Sequence, residues 1–194
     1  VAILNLGGVG NVTWIGTNGE LVAFDTGPAN ALIDDWVLER TGQSHDAGGA
    51  LAAAGRIDEA VLARMLDNPY FASPPPKSLD RADFSMDVVR GMSVEDGAAT
   101  LTAFTARSVA AGLALLPAPP RRLFVAGGGR HNATLMAMLG NAEPIESLGG
   151  NGDATEAEGF AYMAVRRLRG LPISFPGTTG VPQAMTGGVI HQPA

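Results

Sequence analysis

A chain of 194 residues with 46% hydrophobic and 16% charged residues has enough apolar side chains for an ordinary core, which excludes a largely disordered protein. The formal net charge of −6, with no basic stripe to meet a phosphate backbone, argues against nucleic acid as a partner. With no cysteine there is no disulfide, thiolate chemistry or cysteine zinc site, which fits a cytoplasmic address, and no apolar run approaches the length of a membrane span.

Taken in chain order, the first residues read as three short strands, Val1–Leu6, Asn11–Ile15 and Leu21–Phe24. Gly7-Gly8-Val9-Gly10 separates the first two, and Thr17-Asn18-Gly19-Glu20 is a hairpin signal between the next two. Asn30–Arg40 reads as a helix with Leu32, Ile33, Trp36 and Val37 on one face. The stretch 42–92 breaks the pattern: a short helix at Asp58–Leu66, then Asn68-Pro69-Tyr70-Phe71 and the stiff Pro74-Pro75-Pro76. Its apolar anchors Leu62, Met65, Leu66 and Phe71 mark it as an insertion packed on the surface of the main fold, not a linker.

Alternation then resumes. Ser93 through Asp96 is a capping-box-like start to a long helix over 94–115, and Arg122–Ala126 is a buried strand. Asn132 caps a helix over Ala133–Leu139 with Gly140 as its stop, and Pro144–Glu146 is a short strand. The last clear helix, Ala154–Arg169, places Ala157, Phe160, Ala161, Ala164, Val165 and Leu168 on one apolar face, and the tail is coil with a strand candidate at Gly188–His191. Three antiparallel strands followed by alternating helices and strands predict an α/β fold of the ribonuclease-H-like type: a mixed five-stranded sheet flanked by helices.

Four segments can carry chemistry. Asn5-Leu-Gly-Gly-Val-Gly-Asn11 joins two strands through glycines that can aim backbone N–H groups at an anion, although a plain hairpin turn would look the same. Phe24-Asp25-Thr26-Gly27-Pro28-Ala29-Asn30 puts a carboxylate directly off a strand end, where it can accept a proton or hold magnesium. A helix cap would explain Asn30 well, but not the whole run. In Val125-Ala-Gly-Gly-Gly-Arg-His-Asn132 the missing side chains would let a flat ring or phosphate lie on the backbone, and no Gly-Lys-Ser/Thr ending follows to make it a P-loop. Gly152-Asp153-Ala-Thr-Glu156 opens the last helix, where acids also simply favour the dipole. His45, His131 and His191 lack metal-ligand spacing, and Lys77 after the prolines is either a phosphate contact or a solvated cation.

In this order the stretches NLGGVGNVT, FDTGPANALID, DNPYFASPPPKS, VAGGGRHN, GDATEAEGFAYMA and PGTTGVPQAMTGGVI resemble the anhydro-N-acetylmuramic acid kinase family over nearly the whole chain. The resemblance implies the second, C-terminal lobe (1–194, insertion at about 42–92) of a two-lobed actin-like kinase, its N-terminal lobe absent from a chain that starts at Val1 inside a strand. It implies ATP and magnesium as cofactors, an amino sugar as substrate and dimerisation as in the family. The implied reaction opens the 1,6-anhydro ring with water and phosphorylates O6, for which this lobe alone is expected to be inactive. By motif, Asp25 resembles the catalytic base; Asn5, Gly7 and Gly8 resemble the second phosphate loop, with Asn11 on its rim; Gly127, Gly128, Gly129 and Asn132 resemble the adenosine motif. Glu156 resembles a sugar-side carboxylate, with Asn30 also on the substrate side; no protein metal ligand is implied. One departure is Leu79-Asp80, where the family pattern has a small residue and glycine. The alternatives are another actin-like sugar or acetate-type kinase, a non-catalytic ATP-binding lobe, and a two-metal nuclease, for which converging carboxylates and a basic face are missing.

Overall fold

The structure, a computed structural model, describes residues 1–191. Strands β1 (Ala2–Leu6), β2 (Val9–Ile15) and β3 (Leu21–Pro28) form an antiparallel meander. Between β2 and β3 the predicted hairpin closes with Gly19 at φ +78°, a left-handed position that suits glycine. Helix α1 (Asn30–Thr41) follows, then the 42–92 segment with α2 (Ala50–Ala54) and α3 (Glu59–Leu66), and the long α4 (Val94–Ala114). Strand β4 (Leu123–Ala126) lies parallel to β1, α5 (Ala133–Met138) follows, and β5 (Ala142–Pro144) lies parallel to β4. Helix α6 (Thr155–Leu168) and the short α7 (Pro176–Thr179) complete the order. The sheet runs β3-β2-β1-β4-β5, the ribonuclease-H-like arrangement expected from the sequence.

Alternation within the strands sets the layers. Ala2, Leu4 and Leu6 of β1 alternate with Ile3 and Asn5, and the first set packs with Val12, Phe24 and Val125 against Ala106 and Val109 of α4. A second core lies on the far side of α4, where Leu32, Ile33, Trp36 and Val37 of α1 meet Leu101 and Phe104. The 42–92 segment supplies one wall of this core through Ala52, Leu62, Met65, Phe71 and Val89, so it is built into the fold rather than laid on its surface. Trp36 is fully buried, its Nε1 donates to the Val94 carbonyl at 2.9 Å, and a Cβ on Gly97 would run into its ring. Truncating such a side chain costs about 3–5 kcal/mol.

Three boundaries differ from expectation. The short strand sits at Ala142–Pro144, two residues before the predicted Pro144–Glu146, because Ile145 to Leu148 turn into a 3-10 helix. Gly188–His191 is not a strand; the tail instead makes an antiparallel bridge between Ser174 and Met185, and α7 packs beside β3, where a Cβ on Gly177 would strike the Leu21 carbonyl. The apolar face of α6 is present but uncovered: no residue of α6 is buried, Phe160 is 63% exposed and Leu168 71%. Helical periodicity reports which side chains share a face, and not what covers it.

Candidate active site

Three polar side chains cross one end of the sheet in a row. Asn5 on β1 pairs in register with Asn11 on β2, and Asn11 with Asp25 on β3. Directly opposed residues share a face, and the alternation that sends Leu4, Leu6 and Phe24 toward α4 sends this row to the opposite side. Asp25 does not come off a strand end, as its Gly-Pro neighbours suggested. Strand β3 continues to Pro28 through a bulge: Asn11 pairs with Asp25 and Gly10 with Gly27, which leaves Thr26 as the extra residue. Thr26 and Gly27 both press on α4, where a Cβ on Gly27 would lie 2.8 Å from Ser108 Cβ, and Gly27 has φ +151°.

Every polar atom of Asp25 is held. Asn11 Nδ2 donates to Oδ1 at 2.8 Å, and the Leu79 backbone N–H donates to Oδ2 at 2.8 Å. Its own N–H donates to the Lys77 carbonyl at 3.0 Å, and its carbonyl accepts from the Tyr70 hydroxyl at 2.6 Å. Residues 69–79 thus form a strap along the outer edge of β3. Burial, then the charges of Asp25 and Asp83, push the Tyr70 hydroxyl's pKa up, so it remains a donor. Lys77 is neither a solvated cation nor free for a phosphate: Nζ donates to the Tyr70 carbonyl at 2.6 Å and sits 4.3 Å from the Tyr70 ring centroid, and burial lowers its pKa. Because Leu79 acts through its backbone, the departure from small residue at that position leaves the contact intact.

Two glycine turns flank the row. The carbonyls of Gly7 and Gly8 accept from the first N–H groups of α1: Asn30 N to Gly7 O at 2.9 Å, Ala29 N and Ala31 N to Gly8 O at 2.9 and 3.2 Å. These bonds satisfy helix donors that would otherwise be orphaned. They also turn the loop so that the N–H groups of Gly7 and Gly8 have no backbone acceptor among the described residues, an arrangement suited to an anion. Asn30 is therefore not the cap of α1: the N-cap is Ala29, and Asn30 Nδ2 reaches back to the Leu6 carbonyl at 2.9 Å.

The Gly127-Gly128-Gly129 turn abuts the end of β1. A Cβ on Gly127 would lie 2.6 Å from Asn5 Oδ1, and one on Gly129 2.6 Å from Leu6 Cβ. Packing against β1 thus requires these two glycines, whereas Gly128 borders open space. Asn132 caps α5, its Oδ1 accepting from Leu135 N at 2.9 Å. Arg130, not singled out from the sequence, pins this turn: its side chain is 4% exposed, donates to the Gly127 carbonyl at 2.9 Å, and pairs with Glu146 at 2.8 Å and Asp153 at 2.9 Å. No local spacing links residues 130, 146 and 153, so only the fold reveals the group. Asp153 is thereby a partner of Arg130 and not a free first-turn acid.

The structure joins Asn5, Asn11, Asp25, Asn30 and both glycine turns into one region. Glu156 stays apart: it is exposed in the first turn of α6 and makes no hydrogen bond or ion pair with the described residues. Among the described residues no three acidic or histidine side chains are grouped to hold a metal, and both Asp25 oxygens already accept N–H groups. Nor is any helix among them long and apolar enough to cross a membrane.

Named anhydro-N-acetylmuramic acid kinases match closely: that of Rhizorhabdus wittichii is 68% identical over 100% of this chain and 54% of its own length. Those of Zymomonas mobilis and Acidiphilium cryptum are 55% and 56% identical over 98% of this chain and 54% and 55% of theirs. The chain thus spans about half the length of the curated relatives it matches. A solved structure of the activator of the 2-hydroxyisocaproyl-CoA dehydratase from Clostridium difficile with bound ADPNP covers 74% of this chain and 52% of that one, at 14% identity and a TM-score of 0.45. The family model for anhydro-N-acetylmuramic acid kinase matches residues 1–193, and the chain belongs to that family.

Proposed function

We propose that this chain is the catalytic-base lobe of an ATP-dependent kinase that hydrolytically opens 1,6-anhydro-N-acetylmuramic acid and phosphorylates its O6. The observation that carries this reading is Asp25: a carboxylate held at four polar atoms, at the end of a row that leads to two glycine turns. Asp25 takes a proton from water as the oxygen of that water bonds to C1; the C1–O6 bond breaks, and O6 takes the γ-phosphoryl group of ATP. The products are ADP and N-acetylmuramic acid 6-phosphate, and the proton leaves Asp25 to solvent. Hydrogen bonds from Asn11 and Leu79 keep the carboxylate aimed while leaving each oxygen a second lone pair for water.

The N–H groups of Gly7 and Gly8, without a backbone acceptor among the described residues, suit the phosphates, and the cavity beside Gly128 and Asn132 suits the nucleoside. Magnesium would enter with the phosphates of ATP, the usual route for this ion beside a nucleotide. Glu156 and Asn30 are proposed on the sugar side, and the remaining half of the relatives' length is proposed to supply the opposing lobe, without which the chain is inactive. The absence of cysteine supports action in the cytoplasm.

The test is Asp25→Asn in the complete protein. Turnover of anhydro-sugar and ATP should be abolished while ATP binding, followed by calorimetry, stays within about twofold. Near-normal turnover in that variant would sink the assignment of the base.

A further inference from the structure

Beside the triple-glycine turn lies a cavity of about 320 Å³, walled by Asn30 and Asp34 of α1, by His45 in the loop after it, and by Gly128, His131 and Asn132. Most of its polar side chains are committed elsewhere. Asn30 donates to Leu6, Asn132 caps α5, and Asp46, also on its wall, accepts from Leu51 and Ala52 N–H at 2.9 and 3.0 Å. Asp34 is the exception: half-buried on the wall, it makes no hydrogen bond with any described residue. No lysine or arginine lines the cavity, and two carboxylates do. That charge repels phosphate, and it repels the carboxylate of a muramic acid equally; a neutral group rich in hydroxyl donors suits it.

Helix α1 gives the order of the parts. Asn30 N bonds Gly7 of the phosphate turn, and Asp34 lies four residues on, on the same face, about 6 Å along the axis. The part of a nucleotide next to its phosphates is the ribose. We infer that Asp34 selects the nucleotide by accepting hydrogen bonds from its ribose hydroxyls. The inference rests on the nucleotide reading of this site and adds a residue that reads the sugar ring. Burial holds the Asp34 carboxyl above its ordinary value, with the charges of His45, Asp35 and Arg81 as lesser influences; an accepted hydroxyl would compensate for that lost solvation.

The experiment is equilibrium binding of ATP and of 2′,3′-dideoxy-ATP to the complete protein without the amino sugar. The wild type should prefer ATP by about tenfold, and Asp34→Ala should reduce the preference to less than about twofold by weakening ATP alone. Asp34→Asn, isosteric and therefore the safeguard against a folding loss, should narrow the preference to about threefold. A wild type that does not discriminate, or an Asp34→Ala that discriminates as the wild type does, overturns the inference while the nucleotide reading stands. Failure of the wild type to bind ATP at all removes both. Because no amino sugar is present, an error about the acceptor leaves the result unaffected.

Discussion

Replacing Tyr70 with phenylalanine removes one oxygen and leaves the ring. The ring stays edge-on to Phe71, with centroids 5.7 Å apart, and to Phe84 at 6.3 Å, so packing is preserved. What is lost is the 2.6 Å hydrogen bond to the Asp25 carbonyl, in a half-buried place where water replaces it poorly. A carbonyl left so costs about 1–2 kcal/mol, and at about 2–4 °C per kcal/mol for a domain of this size the melting temperature should fall by about 2–8 °C. In the complete protein the same change frees one of the ties that fix the proposed base. Turnover should drop about tenfold while the KM for ATP stays within about twofold, because the glycine turns do not touch the strap. Asn11→Ala, which frees Oδ1, should combine with it less than additively, since both act on one carboxylate. A lowered melting temperature with unchanged turnover would refute the positioning role and leave the strap as scaffolding only. An unchanged melting temperature would refute the hydrogen bond itself.

Two other outcomes follow from the packing and the charges. Gly27→Ala forces a Cβ to within 2.8 Å of Ser108 Cβ at φ +151°, and should cost about 2–4 kcal/mol in urea denaturation; a loss below about 0.5 kcal/mol would mean that the bulge relaxes freely. Glu146 is held below the ordinary carboxylate range by its own backbone N–H, then by Arg130, and Arg130 does the same for Asp153. The stability they confer is therefore present above their unfolded values near pH 4 and is lost as pH falls through their depressed folded ones. Arg130→Gln should flatten the decline in the urea midpoint between about pH 5 and pH 3, and an equally steep decline would locate the acid sensitivity elsewhere.

Most of the fold was legible because its signals are local. Ser93 and Asn132 cap the helices they were expected to cap, and the helix predicted over 94–115 is Val94–Ala114. The site was legible as residue types and less so as geometry. Asp25 and the glycines stand out in the sequence, but the bonds that fix Asp25 come from residues 14, 45, 52 and 54 positions away in the chain, where periodicity carries no information. The capping alternative for Asn30 falls away for a reason that is not local: glycine carbonyls already take the first donors of the helix, and its amide ties down β1. Lys77 looked exposed after three prolines, yet the strap folds it onto Tyr70.

The bulge at Thr26 acts as a phase shifter in the strand. Up to Asp25 the pleat obeys the two-residue rhythm that points Phe24 at the core and Asp25 at the opposite face; after Thr26 the rhythm restarts one step late, and Gly27 points at α4. The two halves of FDTGP therefore face different surroundings, one the row of Asn5, Asn11 and Asp25 and the other α4, with one residue absorbing the mismatch between them. Deleting Thr26 would leave Asp25 and Gly27 on their opposite faces by plain alternation, but it would remove the buried side chain that packs on Gly112 of α4. The extra residue is accordingly a packing device: it lets two consecutive positions, Thr26 and Gly27, both face α4.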